Sequence, residues 1–319
     1  MIDISVIIPA YRRTDLLRKA VVSVFGQDLD KGRYEVIVVD SSPDDANRKV
    51  LEEIGAGAPC AWSFHSKTPE GPGPSRNLGV ERSRGRFLAF MDSDCQADAS
   101  WLRHSLERFD DSAVGLVQGK TRPDPAGRLG VLTWYPHNER EYFIYECTNV
   151  MYRREAFEQA GGFRADLHPH SIRGMGGEDV ELAWKVKRLG WKSTFAVQSI
   201  VYHEVVQVSL WQWTFEKRLF ILPRLARTFP ELRRFFFGRY FWDQGQAFVV
   251  MAWTGFALAT VSYWTLLLGI PYFAFRLRGA SKSFPGPLRP LRLVPWLARD
   301  TVFLLTLAAG SVRYRSLLL

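Results

Sequence analysis

Cysteine is scarce in this 319-residue chain: Cys60, Cys95 and Cys147 stand far apart and are odd in number. No zinc or redox spacing is present, which points to a reduced, cytosolic compartment. No Gly-x-Gly-x-x-Gly follows the first strand-like run, which disfavours a dehydrogenase. Internal repeats and low-complexity tracts are also lacking. The first strand-like run begins by Ile4 and leaves no room for a signal peptide, so the N-terminal domain is expected to stay in the cytoplasm.

What the chain does contain is globular in proportion, with 47% hydrophobic and 24% charged residues. Its length suits one large domain or two ordinary ones. The net charge of +9 fits nucleic acid, an anionic membrane surface or a phosphate-bearing substrate. The basic residues concentrate beyond residue 210 among Trp, Phe and Tyr, and no nucleic-acid-binding motif accompanies them. That distribution favours a membrane surface.

The first half alternates two hydrophobic periods. Apolar, strand-like runs at 4–8, 36–39, 61–64, 86–91 and 114–118 alternate with helical spacing at 15–25, 44–54, 75–81 and 101–109. Thr14 is placed to cap the first helix. Further strands are expected at 148–152, 194–197 and 200–203, with a strongly patterned helix at 178–189. This order predicts an α/β fold with a mostly parallel sheet covered on both faces. Composition shifts near residue 205, giving a catalytic domain at 1–205 and a membrane-associated helical region at 206–319.

Asp92-Ser93-Asp94 follows the strand at 86–91. In open α/β sheets ligands bind beyond the carboxyl ends of strands, and two carboxylates there can share a divalent cation with a diphosphate. A polar turn is the ordinary reading of such a motif. Pro9-Ala10-Tyr11 and Asp40 end the two neighbouring strands, offering an aromatic face and a carboxylate to a nucleotide base. Arg76-Asn77 follows a Gly/Pro loop and can reach the same crevice. On a helical wheel Asp179 shares a face with Leu182, Ala183 and Val186, whereas Glu181, Lys185 and Arg188 point away. An inward carboxylate in a first turn suits a general base.

The runs SVIIPAY (5–11), VVDSSPDD (38–45), GPGPSRN (71–77), FMDSD (90–94) and GGEDVELAWKVKRLGW (176–191) together resemble family 2 of the inverting glycosyltransferases, over roughly residues 3–205. The resemblance implies a GT-A fold, a nucleoside-diphosphate-sugar donor and a Mg²⁺ or Mn²⁺ ion. By motif position Pro9, Tyr11 and Asp40 would hold the base, Asp92 the ribose side, Asp94 the metal and Asp179 the acceptor proton. His203 corresponds to a position that assists the metal or diphosphate. Asn149 corresponds to one lining the sugar or acceptor pocket. Arg76, Asn77, Ser93 and Glu178 complete the implied donor site. The family often has a second Asp where this chain has Ser41, which leaves the nucleotide open.

The segment 211–242 interleaves Lys217, Arg218, Arg224, Arg227, Arg233, Arg234 and Arg239 with aromatics and reads as interfacial. Residues 247–275 carry no charge and are long enough to span, but the basic run at 276–292 opposes an outward crossing, so a break near Gly269-Ile270-Pro271 is the alternative. The last apolar stretch, 301–312, is short. The leading expectation is an inverting transferase acting on a lipid-linked or membrane-proximal glycan at the cytoplasmic face of a membrane, without nucleic acid. A nucleotidyltransferase and a catalytically silent membrane scaffold are the rivals.

Overall fold

The computed structural model describes residues 2–130, 132–165, 176–283 and 293–319, which form two compact units, 1–207 and 208–319.

The first unit is built on an eight-stranded sheet. Its strands are β1 (Ile4–Ala10), β2 (Tyr34–Asp40), β3 (Ala61–Ser66), β4 (Phe87–Phe90), β5 (Cys95–Ala97), β6 (Val114–Pro123), β8 (Val150–Arg153) and β9 (Lys192–His203). β7 (Thr133–Trp134) and β10 (Val206–Gln207) form a separate antiparallel pair. The sheet order is β3-β2-β1-β4-β8-β6-β9-β5. Every residue of β2 is buried, as is all of β1 except Pro9, so both read as mainly apolar runs. Of the two acids in β2, Glu35 is held by Ser5 Oγ (2.7 Å) and by Arg84 Nη2 (2.9 Å), and Asp40 ends the strand.

Helices α1 (Thr14–Phe25), α2 (Ala46–Gly55), α3 (Pro72–Glu81), α4 (Trp101–Leu106), α5 (Arg154–Gln159) and α6 (Glu178–Arg188) complete this unit. In α1, Leu17, Ala20, Val21 and Val24 are buried, an i, i+3, i+4, i+7 stripe. Thr14 does not cap α1: the N-cap is Arg13, with no side-chain cap bond, and Thr14 Oγ1 donates to Asn47 Oδ1 (3.0 Å). Helix α3 lies close on β1 because Gly79 has no side chain; a Cβ there would come within 2.5 Å of Ile7 Cγ2.

The sheet is more mixed than the alternating pattern predicts. β1, β2, β3 and β4 pair in parallel, but β8 enters antiparallel between β4 and β6, and β5 runs antiparallel to β9. Residues 192–203 form one strand, with a register shift opposite Gly119/Lys120, rather than two. The short β5 and α5 give no periodic signal of their own.

The second unit is helical: α7 (Leu210–Thr214), α8 (Leu222–Thr228), α9 (Gln244–Ala257), α10 (Ile270–Ser283) and α11 (Leu293–Tyr314), joined in part by 3₁₀ turns. Asp300 on α11 is buried and accepts from Tyr272 Oη (2.8 Å) and Arg276 Nε (2.7 Å) on α10. Arg299 lies 4.7 Å from the Trp213 ring and 4.6 Å from that of Phe303.

Three expectations for this region change. The uncharged run is not one spanning helix: α9 stops at Ala257, and Thr265 Oγ1 donates to the Gly255 carbonyl (2.8 Å), folding the chain back. Gly255 permits this approach, since a Cβ would lie 2.3 Å from the Thr265 carbonyl oxygen. The last apolar helix is longer than expected, with 22 residues from Leu293, and its length and composition suffice to cross a membrane. The aromatics of 211–242 divide, with Phe229 and Phe236 in the core and Trp211, Phe235, Phe237 and Tyr240 exposed. Residues 284–292 of the basic run lie outside the described residues.

Candidate active site

The register of β1 fixes the site. Ala10 pairs with Asp40, and Ile7 pairs with Phe90, so the carboxyl ends of β1, β2 and β4 deliver Tyr11, Asp40 and Asp92 to one rim. Pro9 is half-buried in β1, and Tyr11 is 44% exposed, with the Arg12 guanidinium 5.2 Å from its ring centroid. Asp40 is buried; its Oδ1 accepts from Ser42 N (3.1 Å), Ser42 Oγ (2.7 Å) and Asn47 Nδ2 (3.0 Å). Among the described residues its Oδ2 receives no hydrogen bond, so one acceptor remains for a base N–H. Ser41 is bonded to Ser75 on α3 (3.0 Å between hydroxyls).

Two carboxylates and a histidine meet one step beyond. Ser93 and Asp94 turn the chain from β4 into β5, and the β5–β9 pairing sets Cys95 opposite His203. His203 Nε2 lies 3.4 Å from Asp94 Oδ1. Its Nδ1–H donates to the Glu204 carbonyl (2.6 Å), which leaves Nε2 directed at a carboxylate oxygen. Asp94, Cys95 and His203 are close enough to share a cation, to which Asp94 and a neutral His203 would each offer a lone pair. Burial pushes the Asp94 carboxyl above its ordinary range; Asp92 adds to this, while His203 and Arg13 oppose it. The Cys95 thiol is driven well up by burial and stays protonated, which makes it a poor ligand. An N,O donor set of Asp94 and His203 fits Mg²⁺ or Mn²⁺.

Arg76 ties this centre to α6. Its guanidinium is buried and donates from Nη2 to Asp92 Oδ1 (2.7 Å) and from Nη1 to Glu178 Oε1 (3.5 Å). Among the described residues its Nε is buried with no acceptor. Glu178 opens α6 after Gly176 and Gly177, at φ 83° and 87°, where the left-handed backbone favours glycine. Gly174 and Met175 of that loop lie outside the described residues. Asp179 is the next residue, and its Oδ1 accepts from Val180 N (2.8 Å). Burial, reinforced by Glu178, pushes the Asp179 carboxyl up to about 8. A carboxylate raised that far accepts a proton readily once ionised.

Other predicted residues are placed differently. Asn149 is 2% exposed; it accepts from Trp101 Nε1 (2.8 Å) and donates to the carbonyls of Lys120 and Ser199 (3.0 Å each). It is a tie inside the sheet and does not line the cleft. Asn77 holds both backbone groups of Phe163, at 2.7 and 3.0 Å. Glu181 does not point away: it is buried and paired with Arg164 (3.3 Å) and Lys185 (3.1 Å), because α6 is covered around most of its circumference. Two residues at the centre were not singled out in the sequence. Arg13 Nη1 lies 2.9 Å from Asp94 Oδ2 and 3.6 Å from Glu204 Oε2. Their adjacency to Tyr11 and to His203 was the available signal.

A mixed sheet whose parallel half ends in an Asp-x-Asp turn, with an antiparallel strand carrying a histidine beside it, is the GT-A architecture of nucleotide-sugar-dependent transferases. Residues 5–161 match the model for glycosyl transferase family 2. The chain is 27% identical over 208 residues to glycosyltransferase AglE of Haloferax volcanii, covering 63% of this chain and 66% of that protein. It is 28% identical over 217 residues to a pre-mycofactocin glycosyltransferase of Mycobacterium tuberculosis, spanning 43% of that protein. The solved structure of mannosyltransferase PcManGT from Pyrobaculum calidifontis, in complex with GDP-Man and Mn²⁺, superposes with a TM-score of 0.61 at 16% identity, covering 98% of this chain and 86% of that one. By that match the first unit is a glycosyl transferase family 2 domain, and the chain spans 66% and 43% of the length of these two curated relatives.

Proposed function

We propose that this glycosyltransferase moves a sugar, with inversion, from a nucleoside-diphosphate-sugar to a lipid-linked or membrane-proximal glycan at the cytoplasmic face of a membrane. The observation that carries the reading is Arg76, which joins Asp92 of the acidic turn to Glu178 and so sets the first turn of α6 beside the diphosphate centre. Tyr11 and Asp40 hold the nucleotide base, and Asp92 takes the ribose side. Asp94 and His203 hold Mg²⁺ or Mn²⁺, which supplies positive charge to the departing diphosphate. Asp179 takes the acceptor hydroxyl proton as the glycosidic bond forms, and Arg76 keeps that carboxylate's helix in register. The likeness to glycosyltransferase AglE and to the mannosyltransferase solved with GDP-Man and Mn²⁺ supports this assignment.

Membrane attachment rests on the second unit. Residues 208–319 hold fifteen Lys and Arg against four Asp and Glu, whereas 1–207 hold 27 against 29. The folded-back segment exposes Phe256, Val261, Tyr263, Trp264, Leu267 and Ile270, with no charge among them. Helix α11, at ~1.5 Å per residue, matches the ~30 Å hydrocarbon core. The deciding experiment is calorimetric titration of a panel of nucleotide sugars with and without Mn²⁺, on the wild type and on Asp94→Ala. One donor should bind in a Mn²⁺-dependent way that the variant loses. Equal donor binding by both proteins with Mn²⁺ present, or wild-type binding unchanged by chelator, would sink the cation-centre reading.

A further inference from the structure

Arg13 sits where the cation reading leaves a question of charge. It follows Arg12 at the end of β1, and both adopt left-handed backbone, at φ 57° and 53°. This conformation is uncommon for a residue with a side chain, and two in succession are held here by specific bonds. Arg12 N donates to Ser42 Oγ (2.7 Å), and the Arg13 carbonyl accepts from Leu16 N (3.0 Å) and Leu17 N (3.1 Å), the first turn of α1. The backbone of Arg13 is thus pinned while its side chain, half exposed, reaches across the mouth of the centre.

One guanidinium nitrogen, Nη1, serves both Asp94 and Glu204. Asp92 is already matched by the buried Arg76. Arg13 is therefore the charge that balances Asp94 from the open side. A divalent cation between Asp94 and His203 takes the same carboxylate, and two cations that share one carboxylate repel each other. The arginine side chain then has to leave, whereas its pinned backbone keeps the guanidinium within reach of the centre. An anion bound at the cation gives it a new partner, and the planar fork of arginine suits adjacent phosphate oxygens.

We propose that Arg13 is a placeholder and a clamp: it neutralises Asp94 before a divalent cation arrives and passes to the donor's diphosphate once that cation displaces it. This rests on the reading of Asp94 and His203 as the cation centre. It makes cation and diphosphate binding mutually reinforcing, because each relieves a charge the other leaves exposed.

The test uses the full-length protein, Mn²⁺ and inorganic pyrophosphate, so that neither the sugar nor the base need be known. Calorimetry gives the Kd of Mn²⁺ alone and of pyrophosphate at saturating Mn²⁺. In Arg13→Gln, Mn²⁺ alone should bind roughly 5- to 10-fold tighter, since its competitor is gone, and pyrophosphate at least tenfold weaker. Arg13→Lys keeps the charge without the fork, so its Mn²⁺ affinity should stay near wild type while pyrophosphate binding falls. An unchanged or weaker Mn²⁺ affinity in a folded Arg13→Gln protein would overturn the proposal, as would unchanged pyrophosphate binding. Asp94→Asn separates the two levels. Loss of Mn²⁺ binding in that variant upholds the centre, so a negative Arg13 result then counts against the placeholder alone. Persistence of Mn²⁺ binding in that variant overturns the centre itself, and the placeholder with it.

Discussion

At the residue scale the chemistry turns on where carboxylates are allowed to ionise. Asp179, half-buried, sits against the buried Glu178 in the first turn of α6, and its carboxyl is raised to about 8. If it is the base, kcat/KM should climb with pH along a limb whose apparent pKa lies near 8, and Asp179→Asn should lose that limb. Its kcat should fall by roughly 10²–10⁴-fold with donor affinity little changed. A collapse of donor binding with turnover at saturation intact would make Asp179 a binding residue. The same shift has a consequence for stability. A carboxyl raised on folding binds a proton in the native state that the unfolded chain has released, so its contribution is lost as pH rises from the ordinary carboxylate range through about 8. Asp179→Asn should therefore raise Tm relative to wild type at pH 8.5 and change it little at pH 4. Thermal melts at the two pH values check this; a gain of equal size at both would remove burial of the charge as the cause.

At the scale of elements, the first turn of α6 depends on a glycine. Gly177 caps the helix in left-handed conformation, where an alanine costs roughly 1–2 kcal/mol. Gly177→Ala should lower the unfolding free energy by about that amount and reduce kcat, because Glu178 and Asp179 follow directly. Gly177→Asn should lose less of both, since asparagine tolerates this backbone. Chemical denaturation beside initial rates tests the pair, and an alanine variant of wild-type stability would refute the strain. What the sequence makes legible follows the same logic of local signal. β1, β2 and β4 are mainly apolar runs, and their parallel ends bring Tyr11, Asp40 and Asp92 together as the pattern predicts. The antiparallel strands carry no such mark. β5 is three residues long, yet its pairing with β9 is what sets His203 beside Asp94. Arg13 and Glu204 join the centre through that long-range register and not through any spacing in the chain. The Asn149 and Glu181 assignments fail for a related reason, since a wheel or a motif position does not reveal how many neighbours cover a side chain.

At the scale of the whole molecule the two units divide charge and polarity between them. The excess of Lys and Arg lies entirely in 208–319, beside an exposed apolar surface that water does not favour. Basic groups near an anionic bilayer contribute on the order of 1 kcal/mol each, and salt screens them. Apolar side chains in the acyl region are indifferent to salt. The two contributions can thus be separated in the intact protein. Wild type should sediment with vesicles containing anionic lipid, resist 1 M NaCl extraction (a salt level giving a screening length of about 3 Å) and come free in detergent. Replacing Phe256, Val261, Trp264 and Leu267 together by serine removes side chains that are 54% or more exposed. That variant should still bind the vesicles at low salt through its arginines, and high salt should now release part of it. Replacing Arg233, Arg234 and Arg239 by glutamine should do the converse, weakening capture at low salt and leaving the bound fraction insensitive to salt. A wild-type protein that remains in the supernatant with anionic vesicles and without detergent would contradict membrane attachment. Serine substitutions that leave salt resistance untouched would assign the apolar contact to α11 instead of the folded-back segment.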